Sequence, residues 1–150
     1  MSQWRAKALE LFPDMRPTIE AAESAGGLWI ELAGRFKRYY SSLDGQEQKQ
    51  SPNLIRAICL YAIWCTRSDS STTREAAWIE FYEHVPRYAF RCKAPTYKRI
   101  IEDLVANIGL AEIEKSSSTF GTYMKPDQLK KFMADARLAD RESQRRSRKR

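Results

Sequence analysis

Apolar residues recur along this chain at intervals of three and four, the spacing that places side chains on one face of a helix. In SQWRAKALELFP, residues 2–13, Trp4, Ala8, Leu11 and Phe12 keep that period, with Ser2 placed to cap and Pro13 to stop a short helix. Pro17 opens a second segment, and Gly26 and Gly27 separate it from the next apolar stripe or kink the junction. Beyond them Leu28, Trp29, Leu32, Ala33, Phe36 and Tyr40 form a stripe opposite Glu31, Arg35 and Arg38. Residues 41–50, SSLDGQEQKQ, have no apolar period and read as a loop. In SPNLIRAICLYAIWC, Ser51 is the expected N-cap and Pro52 the first helical residue, where its missing N–H costs nothing. Leu54, Ile55, Ile58, Cys59, Tyr61, Ala62, Trp64 and Cys65 surround that helix, which predicts a central, buried element.

Thr72 stands three residues before Glu75, the spacing of a capping box, and Ala77, Trp78, Phe81, Tyr82 and Val85 share one face of the helix it would open. Pro86 is expected to end it. Residues 86–95 read as an irregular basic connector. Thr96 then caps a helix with the stripe Tyr97, Ile100, Ile101, Leu104, Val105 and Ile108, ended by Gly109. LAEIEK and TFGTYMK alternate well enough to predict a short hairpin across residues 110–124. Pro126 opens a last helix with Leu129, Phe132, Met133, Ala136 and Leu138 facing in. The expected fold is mainly α: one helical-bundle-like domain over residues 1–140 with a short C-terminal β-hairpin, then a disordered basic tail over residues 141–150.

Composition agrees with one core, since 150 residues with 43% hydrophobic and 11% aromatic content are too few for two independent ones. The net charge of +7 is uneven. Residues 141–150 hold six basic groups against one acidic, a net of +5, which leaves +2 for the other 140 residues. No apolar run approaches the 18 or so residues of a membrane span, and Arg5, Lys7, Glu10 and Asp14 interrupt any signal-peptide core. A soluble, cytoplasmic protein without a membrane partner is expected. Cys59, Cys65 and Cys92 are an odd number of cysteines with no CxxC pair, so reduced thiols are expected rather than disulfides or a zinc site.

His84 is the only histidine. A Cys-His nucleophile pair would need Cys65 or Cys92 within hydrogen-bond reach of it, and buried thiols are normally inert. Glu80 and His84 are spaced as two ligands on one helix face, but a bundle-type metal site needs a second histidine that the chain lacks. The acid pairs Glu102/Asp103 and Glu112/Glu114 fall on polar faces. Nucleotide, dinucleotide and hydrolase motifs do not occur. The reading is therefore of no catalytic residues, no metal and no cofactor, with His84 capping a helix end ahead of Pro86. Contact chemistry concentrates instead in the connector, where Arg87, Tyr88, Phe90, Arg91 and Lys93 are of the types found at binding hot spots. A non-enzymatic protein-interaction module, of an accessory or immunity type and with an unspecified protein partner, is the leading expectation. The alternative is a nucleic-acid-binding protein that uses a winged-helix-like helix-hairpin unit and the basic tail, through Lys98, Arg99, Arg145, Arg146, Arg148, Lys149 and Arg150.

LFPDM, LWIEL, LIRAICLYAIWC and FYEHVP occur in an order that resembles a family of small bacterial helical proteins of uncharacterised function, over roughly residues 9–95. Its recurring positions fall on Leu11, Phe12, Trp29, Arg56, Tyr61, Trp64, Cys65, Phe81, Tyr82, Glu83, His84 and Pro86. The resemblance implies a shared helical fold, with Trp64, Cys65, Glu83 and His84 as structural motif residues, and carries no activity. RYAFRCKAPTY replaces the acidic and aromatic residues associated with that family after the proline, and residues 110–150 have no counterpart in it.

Overall fold

The structure, a computed structural model, describes residues 1–43 and 52–149. The chain is mainly α, and no strand occurs among the described residues. The loop expected at residues 41–50 falls largely outside the described residues, as do the Ser51 cap and Arg150. Packing groups the chain into two compact units, Met1–Tyr82 and Glu83–Arg150, a division that the apolar pattern of residues 1–140 does not reveal.

The first unit comprises α1 (Gln3–Leu11), a 3-10 turn (Pro13–Met15), α2 (Arg16–Ala21), α3 (Ala25–Leu43), α4 (Pro52–Thr66), α5 (Ser71–Ala77) and a π-type turn (Trp78–Tyr82). Its core is aromatic. Trp29 of α3 lies between Tyr61 of α4, with ring centroids 5.3 Å apart, and Phe81 of the π turn at 5.2 Å. Phe12 meets Tyr61 edge-on at 5.8 Å, and Phe36 meets Phe81 edge-on at 5.2 Å, geometries that aromatic quadrupoles favour. Tyr61 escapes the cost of a buried hydroxyl by donating to the Trp4 carbonyl at 3.0 Å, which ties α4 to α1. Arg5 reaches from α1 to the Ile19 and Ala22 carbonyls at 3.4 and 2.6 Å, satisfying the end of α2. The cap of α5 is Ser70, whose hydroxyl accepts from the Thr73 N–H at 3.3 Å, rather than the expected Thr72. Gly26 and Gly27 fall inside the first turn of α3, so the break comes just before them, where Ser24 Oγ accepts from the Gly27 N–H at 3.0 Å.

The second unit comprises α6 (Val85–Arg91), α7 (Ala94–Asn107), α8 (Leu110–Lys115), α9 (Ser117–Phe120) and α10 (Pro126–Arg148). Ile100, Ile101, Leu104 and Val105 of α7 are buried, as are Phe132, Met133, Ala136 and Ala139 of α10. Phe120 closes the core against Phe132 at 5.5 Å. Gly109 ends α7 with φ +93°, a conformation that glycine adopts freely, and its N–H bonds back to Val105 at 3.1 Å.

Three expectations for this unit are corrected. Residues 110–124 hold α8 and α9 and not a hairpin. LAEIEK buries only Ile113, and a single buried position in six cannot distinguish a period of two from one of 3.6; its Leu, Ala, Glu and Lys then favour the helix. Residues 141–148 are the last turns of α10 and not a disordered tail. The connector after Pro86 is likewise regular: Pro86 lies in the first turn of α6, where a missing N–H is tolerated as readily as it stops a helix.

Candidate interaction surface

Helix α6 divides the connector residues by exposure. Arg87 and Arg91, one turn apart, are exposed on one face, and Lys93 is exposed just beyond. Tyr88 and Phe90 are half-buried, and the Phe90 ring packs on Tyr97 of α7 with centroids 5.1 Å apart. Phe90 therefore fastens α6 to α7, and the exposed positions of the connector belong to the cations. On α7, Lys98 and Arg99 are exposed as expected, but Arg99 faces Asp103 across 3.4 Å.

His84 belongs to the second unit and Cys65 to the first. His84 is the residue before α6, makes no side-chain cap bond, and stacks on the half-exposed ring of Tyr123 with centroids 5.3 Å apart. It therefore does not cap a helix C-terminus as expected. Nor does it share a regular helix face with Glu80, which lies in the π turn, because a wider turn breaks the i, i+4 register. Cys65 is buried inside the first unit, and burial pushes its thiol up to about 11, outweighing the opposite effects of the neighbouring Trp29 and Tyr61 side chains. The buried Trp29 indole N–H makes no hydrogen bond among the described residues. Trp64 stacks almost parallel on Tyr61 at 6.1 Å. Glu83 lies half-buried beside His84 along the chain. No cluster of three or more metal-ligating side chains occurs among the described residues.

A groove of about 320 Å³ runs between α7 and α10, a feature that periodicity did not predict. Tyr97, Ile101 and Leu138 line its apolar part, with Lys98, Glu102 and Glu142 at its margin. Leu138, expected to face in, is 46% exposed here. The Tyr97 hydroxyl donates to Asp135 Oδ2 at 2.6 Å, and the same carboxylate oxygen accepts from Lys131 Nζ at 2.8 Å. Burial, and then the Asp135 carboxylate, hold the Tyr97 hydroxyl protonated well above the ordinary phenol range. Sequence could have hinted at this site only through the i, i+4 pair Lys131–Asp135.

Charge is distributed by unit. Residues 83–150 contain 16 basic and 9 acidic side chains, a net of +7, whereas residues 1–82 contain 10 of each. The whole excess belongs to the second unit. Arg145, Arg146, Arg148 and Lys149 are all exposed near the end of α10. No described helix is long and apolar enough to cross a membrane. No protein-family model, no curated protein and no solved structure matches this chain.

Proposed function

We propose that this protein is a non-enzymatic interaction module, working in the cytoplasm in an accessory or immunity-type role, that binds an acidic protein surface through α6. Arg87 and Arg91, the contact pair, are extended by Lys93 and Lys98. The observation that supports it is the exposed face of α6, where two arginines one turn apart form no ion pair with any described residue. Arginine is enriched at binding hot spots, and an unopposed cationic face steers an acidic partner into register. Cys65, kept as a thiol by burial, supports a binding role over a nucleophilic one. The winged-helix reading loses its wing, since α8 and α9 stand where the hairpin was expected.

The test is recovery of a partner from native lysate, with and without nuclease, by the intact protein and by Arg87→Glu/Arg91→Glu. The reading expects a nuclease-resistant protein whose recovery falls at least about tenfold on charge reversal, about 1.4 kcal/mol. Complete loss of recovered material on nuclease treatment, or indifference to the reversal, overturns it.

A further inference from the structure

The last turns of α10 have a sidedness of their own. At about 100° per residue, the buried side of the helix, Phe132, Met133, Ala136 and Ala139, continues past the core as Asp140, Ser143 and Ser147. Arg141, Arg145, Arg148 and Lys149 occupy the opposite side, within an arc of about 100°, and Arg146 flanks it near the line of Ala139. All five are exposed, and none forms an ion pair with a described residue. Arg141–Arg145, Arg145–Lys149, Arg145–Arg148 and Arg146–Lys149 are like-charged neighbours one turn apart, an arrangement that weakens an isolated helix. Glu142 offsets only part of it, and favourable alignment with the macrodipole concerns the final turn alone.

We propose that this arginine-rich end of α10 binds the phosphate backbone of duplex DNA without sequence preference. The surface is separate from the face of α6. Residues 140–149 carry no aromatic side chain on which unpaired bases could stack, which disfavours single strands. They carry no large apolar residue, so neither a coiled-coil seam nor an amphipathic membrane face is available. A bare helix fits the roughly 12 Å major groove of B-form DNA, while the deep, narrow groove of A-form RNA refuses it. The cationic arc then faces phosphates on either wall, and their charge relieves the repulsion along the helix.

The test uses the full chain and a fluorescently labelled duplex of random sequence, with binding read by anisotropy between about 50 and about 200 mM salt. Binding is expected to weaken with a log–log slope of about −3 to −4, as for about four neutralised phosphates. Arg141→Gln/Arg145→Gln/Arg148→Gln is expected to reduce the slope by about 3 and the affinity at the lower salt by more than about tenfold, while lysine at the same positions retains binding. The charge-matched control Arg16→Gln/Lys37→Gln/Arg38→Gln lies in the first unit and is expected to bind within about twofold of the parent. The arginines of the first triple lie beyond the last buried residue of α10, so thermal unfolding of each variant serves as a folding control. Absence of duplex binding at the lower salt, or a glutamine triple that binds like the parent, overturns the proposal. So does equal binding to phosphatidylcholine–phosphatidylserine vesicles that the same triple abolishes.

Discussion

Tyr97 and Asp135, 38 residues apart in the chain, are joined by a 2.6 Å hydrogen bond that fixes α7 against α10. Asp135 also holds Lys131, whose ammonium lies 5.2 Å from the centre of the Tyr97 ring, so phenol, carboxylate and ammonium form one contact at the wall of the groove. Tyr97→Phe removes the donor while Lys131 still partners the carboxylate. The expected cost is about 1 kcal/mol by denaturant unfolding, less than that of an unpaired buried charge.

The same contact sets a pH dependence. The folded-state affinity of the Tyr97 oxygen for its proton is raised, first by burial, so its contribution is complete below the ordinary phenol pKa of about 10 and is lost as pH rises beyond it. Tyr61, buried beside Cys65, is shifted in the same direction. Stability is therefore expected to fall above about pH 10, and to fall less steeply in Tyr97→Phe. Unfolding curves collected across that range check both.

Cys65 is expected to resist alkylation in the folded protein near pH 8, because burial restricts access and keeps the thiol protonated up to about 11. Cys92, half-buried, is expected to label first. Mass spectrometry after brief iodoacetamide treatment should find modification at Cys92, with Cys59 and Cys65 reacting only after unfolding. Rapid native labelling of Cys65 would contradict the packing around Trp29.

Trp29→Ala opens a cavity between Tyr61 and Phe81 and is expected to cost about 3–5 kcal/mol of the first unit's stability. Gly109→Ala meets no atom within 4 Å of the new Cβ, so its penalty comes from the backbone alone: φ +93° is strained for alanine, at about 1–2 kcal/mol. Denaturant midpoints of the two variants should differ accordingly, with Gly109→Ala the milder.

The aromatic core was legible in the sequence because Trp29 and Tyr61 sit on the long, regular stripes of α3 and α4, and Phe81 on the shorter apolar run that follows α5. The candidate surface was legible in part. Arg87 and Arg91 were identified by type, but their common face required α6, which Pro86 concealed by fitting a helix start as well as a stop. The groove was not legible, because it depends on Leu138 turning outward and on Tyr97 meeting Asp135 across 38 residues.

Periodicity determined that this chain is mainly helical and where its long helices bury most of their apolar faces, and composition that its charge is gathered toward one end. Those properties follow from local spacing and composition, which each segment carries by itself. Tertiary structure decided the rest: the division at Tyr82 and Glu83, the helices over residues 110–120, and the order of α10 through Arg148. In such short or strongly charged segments local preferences nearly balance, and the packing of neighbouring elements selects among them.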